Sequence, residues 1–85
     1  MSRHELKCWP EPYENIIDGR KTFEFRQNDR GFTVGDILVL KEWDPDTLEY
    51  SGREIEVRVT YIIYGGVFGI PAGFCIMSIV EVDEE

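Results

Sequence analysis

Residues 19–26 read Gly19-Arg20-Lys21-Thr22-Phe23-Glu24-Phe25-Arg26, a glycine turn that runs into a strand. Side chains alternate faces along a strand, so Thr22, Glu24 and Arg26 point one way and Phe23 and Phe25 the other. This spacing predicts that the two phenylalanines anchor the strand in a core while Glu24 and Arg26 stand together on the opposite surface. Lys21, at the junction of turn and strand, is free to reach round and join them. Taken alone, such a face is a solvated ion pair on the outside of a sheet.

The flanking sequence supplies the rest of a sheet. Residues 4–8 read as a first strand, with Leu6 and Cys8 on one face and Glu5 and Lys7 on the other. Trp9-Pro10-Glu11-Pro12 breaks it, because proline has no N–H to give to a ladder. A short helix is predicted over about residues 12–18. Pro12 suits its first turn, Glu11 and Glu14 complement its N-terminal dipole, and Tyr13, Ile16 and Ile17 form an apolar stripe. Gly19 stands where a C-terminal capping glycine belongs. The octet supplies a second strand over residues 22–26, followed by a polar loop to Gly31 and a turn at Thr33-Val34-Gly35-Asp36.

Residues 37–43 form a strand whose first half is nearly all apolar, which places it centrally. A polar hairpin connection follows from Asp44 and closes at Ser51-Gly52. Ile55, Val57, Val59 and Tyr61 then alternate with Glu54, Glu56, Arg58 and Thr60, the pattern of a half-exposed strand. Residues 64–73 read as a flexible glycine-rich connection, residues 74–82 as a last strand, and Asp83-Glu84-Glu85 as a frayed acidic tail. The fold class is therefore α+β, mostly β: a single domain over residues 1–85, built as a small, mainly antiparallel barrel with one short helix after the first strand.

Eighty-five residues, 42% hydrophobic and 13% aromatic, suit one globular core. No apolar run approaches the roughly 20 residues that span a bilayer. The N-terminus lacks the apolar segment of an export signal, so a cytoplasmic protein without membrane contact is expected. Cys8 and Cys75 are expected as reduced, packed thiols. One histidine and two cysteines without a C-x-x-C spacing make a poor metal set, and no metal or cofactor is expected. The lone His4 reads as a packed or surface histidine.

A net charge of −8 argues against a long DNA duplex as partner, because phosphate contacts need positive charge. Its distribution narrows the partner further. Arg20, Lys21, Arg26 and Arg30 lie between positions 20 and 30, opposed there only by Glu24 and Asp29. The acids gather over residues 42–56 and at the C-terminus. A compact basic patch on an acidic body suits a small ligand or a few nucleotides.

The octet also fits the pattern G-x-K-x-x-E-x-R through Gly19, Lys21, Glu24 and Arg26. On this motif the chain resembles the ASCH domains, relatives of the PUA RNA-binding fold. With His4-Glu5-Leu6-Lys7, Asn28-Asp29-Arg30, Val34-Gly35-Asp36, Glu42-Trp43-Asp44-Pro45 and Gly52-Arg53-Glu54, it is similar to the small DUF3850-type family of unassigned function. The resemblance covers nearly the whole chain. It implies a PUA-like, five-to-six-stranded mixed barrel with the motif at a cleft between helix and barrel.

In that setting Lys21 and Arg26 would contact phosphate or a base edge, Arg30 would extend the basic rim, and Glu24 and Asn28 would supply polar readout. Tyr64 or Phe68, from the glycine-rich loop, would close over the cleft and stack on a base. The expected partner is RNA or a nucleotide-like small ligand, bound without chemistry. Trp9 is a further stacking candidate.

Two other function classes stay open. A branch of ASCH proteins resembles this chain in size and hydrolyses N-acylated cytidine, using the motif lysine, a threonine and a late-strand glutamate. In such an enzyme Lys21 and Glu24 would be the catalytic positions and Glu81 the late acid, but Glu24 stands where those proteins carry the threonine. The third class is a protein-interaction module that uses the acidic face over residues 42–56. Two sites are excluded by their patterns. Tyr64-Gly65-Gly66-Val67-Phe68-Gly69 lacks the Gly-Lys-Ser/Thr of a phosphate loop. Asp44-x-Asp46 begins like a calcium loop but continues with Leu48 and Glu49 where ligand and glycine are required.

Overall fold

The computed structural model describes residues 1–82. They form β1 (Arg3–Cys8), α1 (Pro10–Ile17), β2 (Phe23–Gln27), β3 (Ile37–Asp44), β4 (Glu49–Tyr64) and β5 (Phe74–Glu81). The strands make one sheet in the order β1-β3-β4-β5-β2, with β1 parallel to β3 and every other pair antiparallel. It curls into a half-barrel with β1 and β2 as its edges. This is the mostly-β class with a short helix after the first strand that the periodicity predicts. The expected acidic tail, Asp83-Glu84-Glu85, lies outside the described residues. No described helix is long and apolar enough to cross a membrane.

The core fills the concave side. Leu6 and Cys8, Leu38 and Leu40, Val57 and Val59, and Met77 and Ile79 meet there, each pair two residues apart on its strand. Tyr13 and Ile16 close one end from α1, and Phe32 enters from the loop after β2. The helix starts at Pro10, two residues before the predicted start. Pro10 takes a first-turn position where the missing N–H has no partner to lose, and Pro12 still falls within that turn. Gly19, at φ 78°, ends the helix as expected. The Arg53 guanidinium binds both oxygens of buried Glu42, reaches Glu14 of the helix and lies 5.0 Å from the Tyr13 ring centre. This contact fixes α1, and with it Trp9, against the sheet.

Three local expectations are corrected. In β2 the facing is reversed: Glu24 is buried at 3% exposure, whereas Phe23 and Phe25 stay 47% and 49% exposed. A strand's facing flips as a unit, so apolar burial alone would have turned this one over. Leaving each ring half exposed forgoes roughly 1 kcal/mol of burial. What holds the observed facing is the charge pairing of Glu24, because a buried carboxylate is tolerated once it is paired and hydrogen-bonded.

In β4 the alternation breaks at Thr60, an extra residue between the pairs Val59–Ile79 and Tyr61–Ser78. This bulge turns Tyr61 outward and brings Ile62 into the core in its place. The hairpin after β3 also closes earlier than expected. Leu48 donates its N–H to the Asp44 carbonyl at 2.7 Å with a φ of 59°, and β4 starts at Glu49. Gly52 therefore lies inside the strand, near the register shift between Lys41 and Trp43.

Candidate nucleic-acid interface

Two arginines lace together the sheet edges that strand pairing leaves apart. Arg26 on β2 donates from Nη2 to the Lys7 carbonyl at 2.8 Å, and Arg30 donates from Nη1 to the Glu5 carbonyl at 3.1 Å. Glu5 and Lys7 are two residues apart on β1, whose only strand partner among the described residues is β3, so their carbonyls belong to its free edge. The octet thus sits on the seam of the half-barrel.

Lys21, Glu24 and Arg26 meet there as a triad. Glu24 Oε1 accepts from Lys21 Nζ and Oε2 from Arg26 Nε, each at 2.8 Å. Lys21 Nζ also donates to the Phe23 carbonyl at 2.7 Å and lies 4.9 Å from the Phe23 ring centre. The carboxylate is buried, while both cations keep part of their surface in water. Two cations and one anion leave a single net positive charge, held rigidly and facing outward. Beneath it lies the Cys8 thiol, which burial, and then the nearby Glu24 charge, push up to about 11. Cys8 and Cys75 are both free and buried, in keeping with the expected packed thiols.

Over the triad opens a concavity of about 290 Å³. Its polar lining is Lys7, Lys21, Glu24 and Arg26, and its rings are Trp9, Phe23 and Phe25. Trp9, the extended residue that precedes the helix, is 58% exposed. Three cations and three part-exposed rings therefore surround a carboxylate whose two oxygens are both taken.

The other expected contact residues have local tasks. Asn28 accepts the Phe32 N–H on its Oδ1 at 2.9 Å and donates its own N–H to the Gly73 carbonyl at 2.7 Å. It shapes the loop after β2, as short amide side chains do. Tyr64 donates its hydroxyl to the Phe32 carbonyl at 2.9 Å. Across the sheet Tyr64 pairs with Cys75, and Cys75 with Arg26, so Tyr64 stands two strand spacings, roughly 10 Å, from the motif strand. Tyr64 is the last residue of β4, Phe68 is almost fully exposed on the loop that follows, and neither ring lines the concavity. Glu81 borders a separate groove of about 150 Å³, which also touches Lys21 and Thr22. On the acidic face, Glu42 is bound by Arg53 and Glu56 by Arg3.

Sequence reasoning missed Phe23 and Phe25 as surface rings. The available signal was the pair of cations at positions 21 and 26, which give Glu24 two partners and so permit its burial.

A family model described as a domain of unknown function, DUF3850, matches residues 3–79, and the chain belongs to that family. An Escherichia phage P2 protein described as "Uncharacterized 12.9 kDa protein in GpA 3'region" is 37% identical over 57 residues, 67% of this chain and 50% of its own length. The chain thus spans about half the length of this curated relative.

Proposed function

We propose that this DUF3850 domain is an ASCH/PUA-like module that binds RNA or a nucleotide-like ligand in the seam concavity. One observation carries the reading: Trp9, Phe23 and Phe25 stand around two cations that a buried carboxylate holds in place. Lys21 and Arg26 take a phosphate, Lys21 as a point charge and Arg26 as part of a fixed fork. A base stacks on the adjoining rings, which accept any base because each has a π face. Glu24 acts as a holder of the cations, both of its oxygens being engaged.

The test is fluorescence anisotropy of a short oligouridylate at low salt. Lys21→Ala is expected to weaken binding about tenfold, near the 1.4 kcal/mol of one charged contact. With one phosphate neutralised on a single strand, log K should fall with log salt at a slope of about −0.7. Absence of binding by the wild-type protein at low salt sinks the reading.

A second reading, amide hydrolysis of an N-acylated nucleoside, is favoured by Lys21 and Glu81 bordering one groove. It requires turnover that disappears in Lys21→Ala, and no turnover at high protein concentration removes it.

A further inference from the structure

Two departures from the simple strand pattern converge on one surface. The reversed facing of β2 puts Phe23 and Phe25 on the convex side of the sheet, and the bulge at Thr60 puts Tyr61 there as well. The register makes them neighbours. Phe23 pairs with Ser78, which pairs with Tyr61, and Phe25 pairs with Ile76, which pairs with Ile63. Phe25 also stacks on Phe74, with ring centres 5.6 Å apart and planes inclined by 25°. Tyr61 is 61% exposed, more open than either phenylalanine. Departures from the local rules of this kind are expected at functional surfaces.

The rest of the convex side is built differently. Over β1, β3 and the first half of β4 it carries an ionic lattice, Arg3 with Glu56 and Lys41 with Glu5, above a fully buried Val39. Ion pairs thus cross the solvent-facing sheet in one half, where Lys7 and Lys41 also lie over the Trp43 and Tyr50 rings, whereas Phe23, Phe25 and Tyr61 gather in the other. The ringed half adjoins the seam, since Phe23 and Phe25 also line the concavity. Lys21 stands at the border, its ammonium near the Phe23 ring.

We propose that the convex face of β2, β5 and the second half of β4 is a base-stacking shelf, which extends the seam site so that it takes consecutive nucleotides of single-stranded RNA. This rests on the nucleotide-binding reading of the seam and adds the form of the ligand. Rings two residues apart along β2 are roughly 7 Å apart, and rings two strands apart roughly 10 Å. These spacings suit bases splayed from an open strand and not bases stacked about 3.4 Å apart in a duplex. An exposed sheet that displays rings on neighbouring strands is a general way to receive such bases. The cations at the shelf's border favour a phosphate-linked occupant over a purely apolar protein surface.

The test compares uridine monophosphate with a short oligouridylate on the intact chain. The expected result is that the oligonucleotide binds roughly tenfold tighter or more, because additional bases stack. Tyr61→Leu should remove about tenfold of that affinity without changing monophosphate binding, and Tyr61→Phe, which keeps the ring, should restore it. Equal affinity for both ligands, or no loss in Tyr61→Leu, overturns the shelf while leaving the seam reading intact. Binding of neither ligand removes the seam reading itself. Tighter binding to an RNA duplex, or a wild-type dimer that Tyr61→Leu dissociates while oligonucleotide affinity is unchanged, also overturns the proposal.

Discussion

Asp36 shows how much one side chain can hold. Its carboxylate accepts from the backbone N–H of Ser2 at 2.8 Å and of Thr33 at 3.0 Å, from the Thr33 hydroxyl at 3.0 Å, and pairs with His4 Nε2 at 3.0 Å. Burial alone would push its pKa up, but these contacts together bring it down to about 2 from 3.8. A depressed folded-state pKa adds stability that is present above the unfolded value and is lost as the pH falls through the folded one. Urea denaturation should therefore show stability falling by about 2 kcal/mol between about pH 4 and pH 2, a loss that Asp36→Asn should abolish. The turn at Thr33–Asp36 was readable from its residue types. The convergence of Ser2 and His4 on it was not, because that depends on β1 lying parallel to β3, a pairing between segments far apart in the chain.

At the scale of an element, the connection between β4 and β5 is more constrained than its glycines suggest. Gly65 donates to the Phe74 carbonyl at 2.8 Å, Gly66 to the Ile70 carbonyl at 2.8 Å, and Ile70 to the Val67 carbonyl at 2.9 Å, with Ile70 itself buried. A Cβ on Gly65 would lie 2.0 Å from the Pro71 carbonyl oxygen, whereas one on Gly66 would meet nothing within 4 Å. Gly65→Ala should accordingly cost about 3 kcal/mol in a urea melt. Gly66→Ala should cost only about 1 kcal/mol, from its positive φ. Comparable small losses at both positions would show the loop to be slack. Strands β1 and β5 and the helix were legible because each has one apolar face to bury, and β3 because its run Leu38-Val39-Leu40 is apolar on both faces. The facing of β2 was not, because its two phenylalanines and its carboxylate compete for the interior and the outcome depends on Lys21 and Arg26. Nor was the bulge at Thr60, since an extra residue is defined only against the partner strand.

Across the whole molecule, a half-barrel whose seam is laced by Arg26 and Arg30 brings Trp9, the triad and the rings of β2 to one side. The basic segment was visible in the charge pattern of residues 20–30. That Trp9, Phe23 and Phe25 line the concavity while Tyr64 and Phe68 do not required the register. The basic residues that line the concavity, Lys7, Lys21 and Arg26, thus stand apart from Glu42 and Glu56, which are paired with Arg53 and Arg3 on the rest of the sheet. The most direct measurement is a titration of the isotope-labelled protein with oligouridylate, followed by backbone amide chemical shifts. The expected result is a contiguous set of perturbations over Trp9, residues 21–27 and Tyr61, with little change along residues 42–56. Perturbations centred on residues 42–56, or none at saturating oligonucleotide, would contradict it.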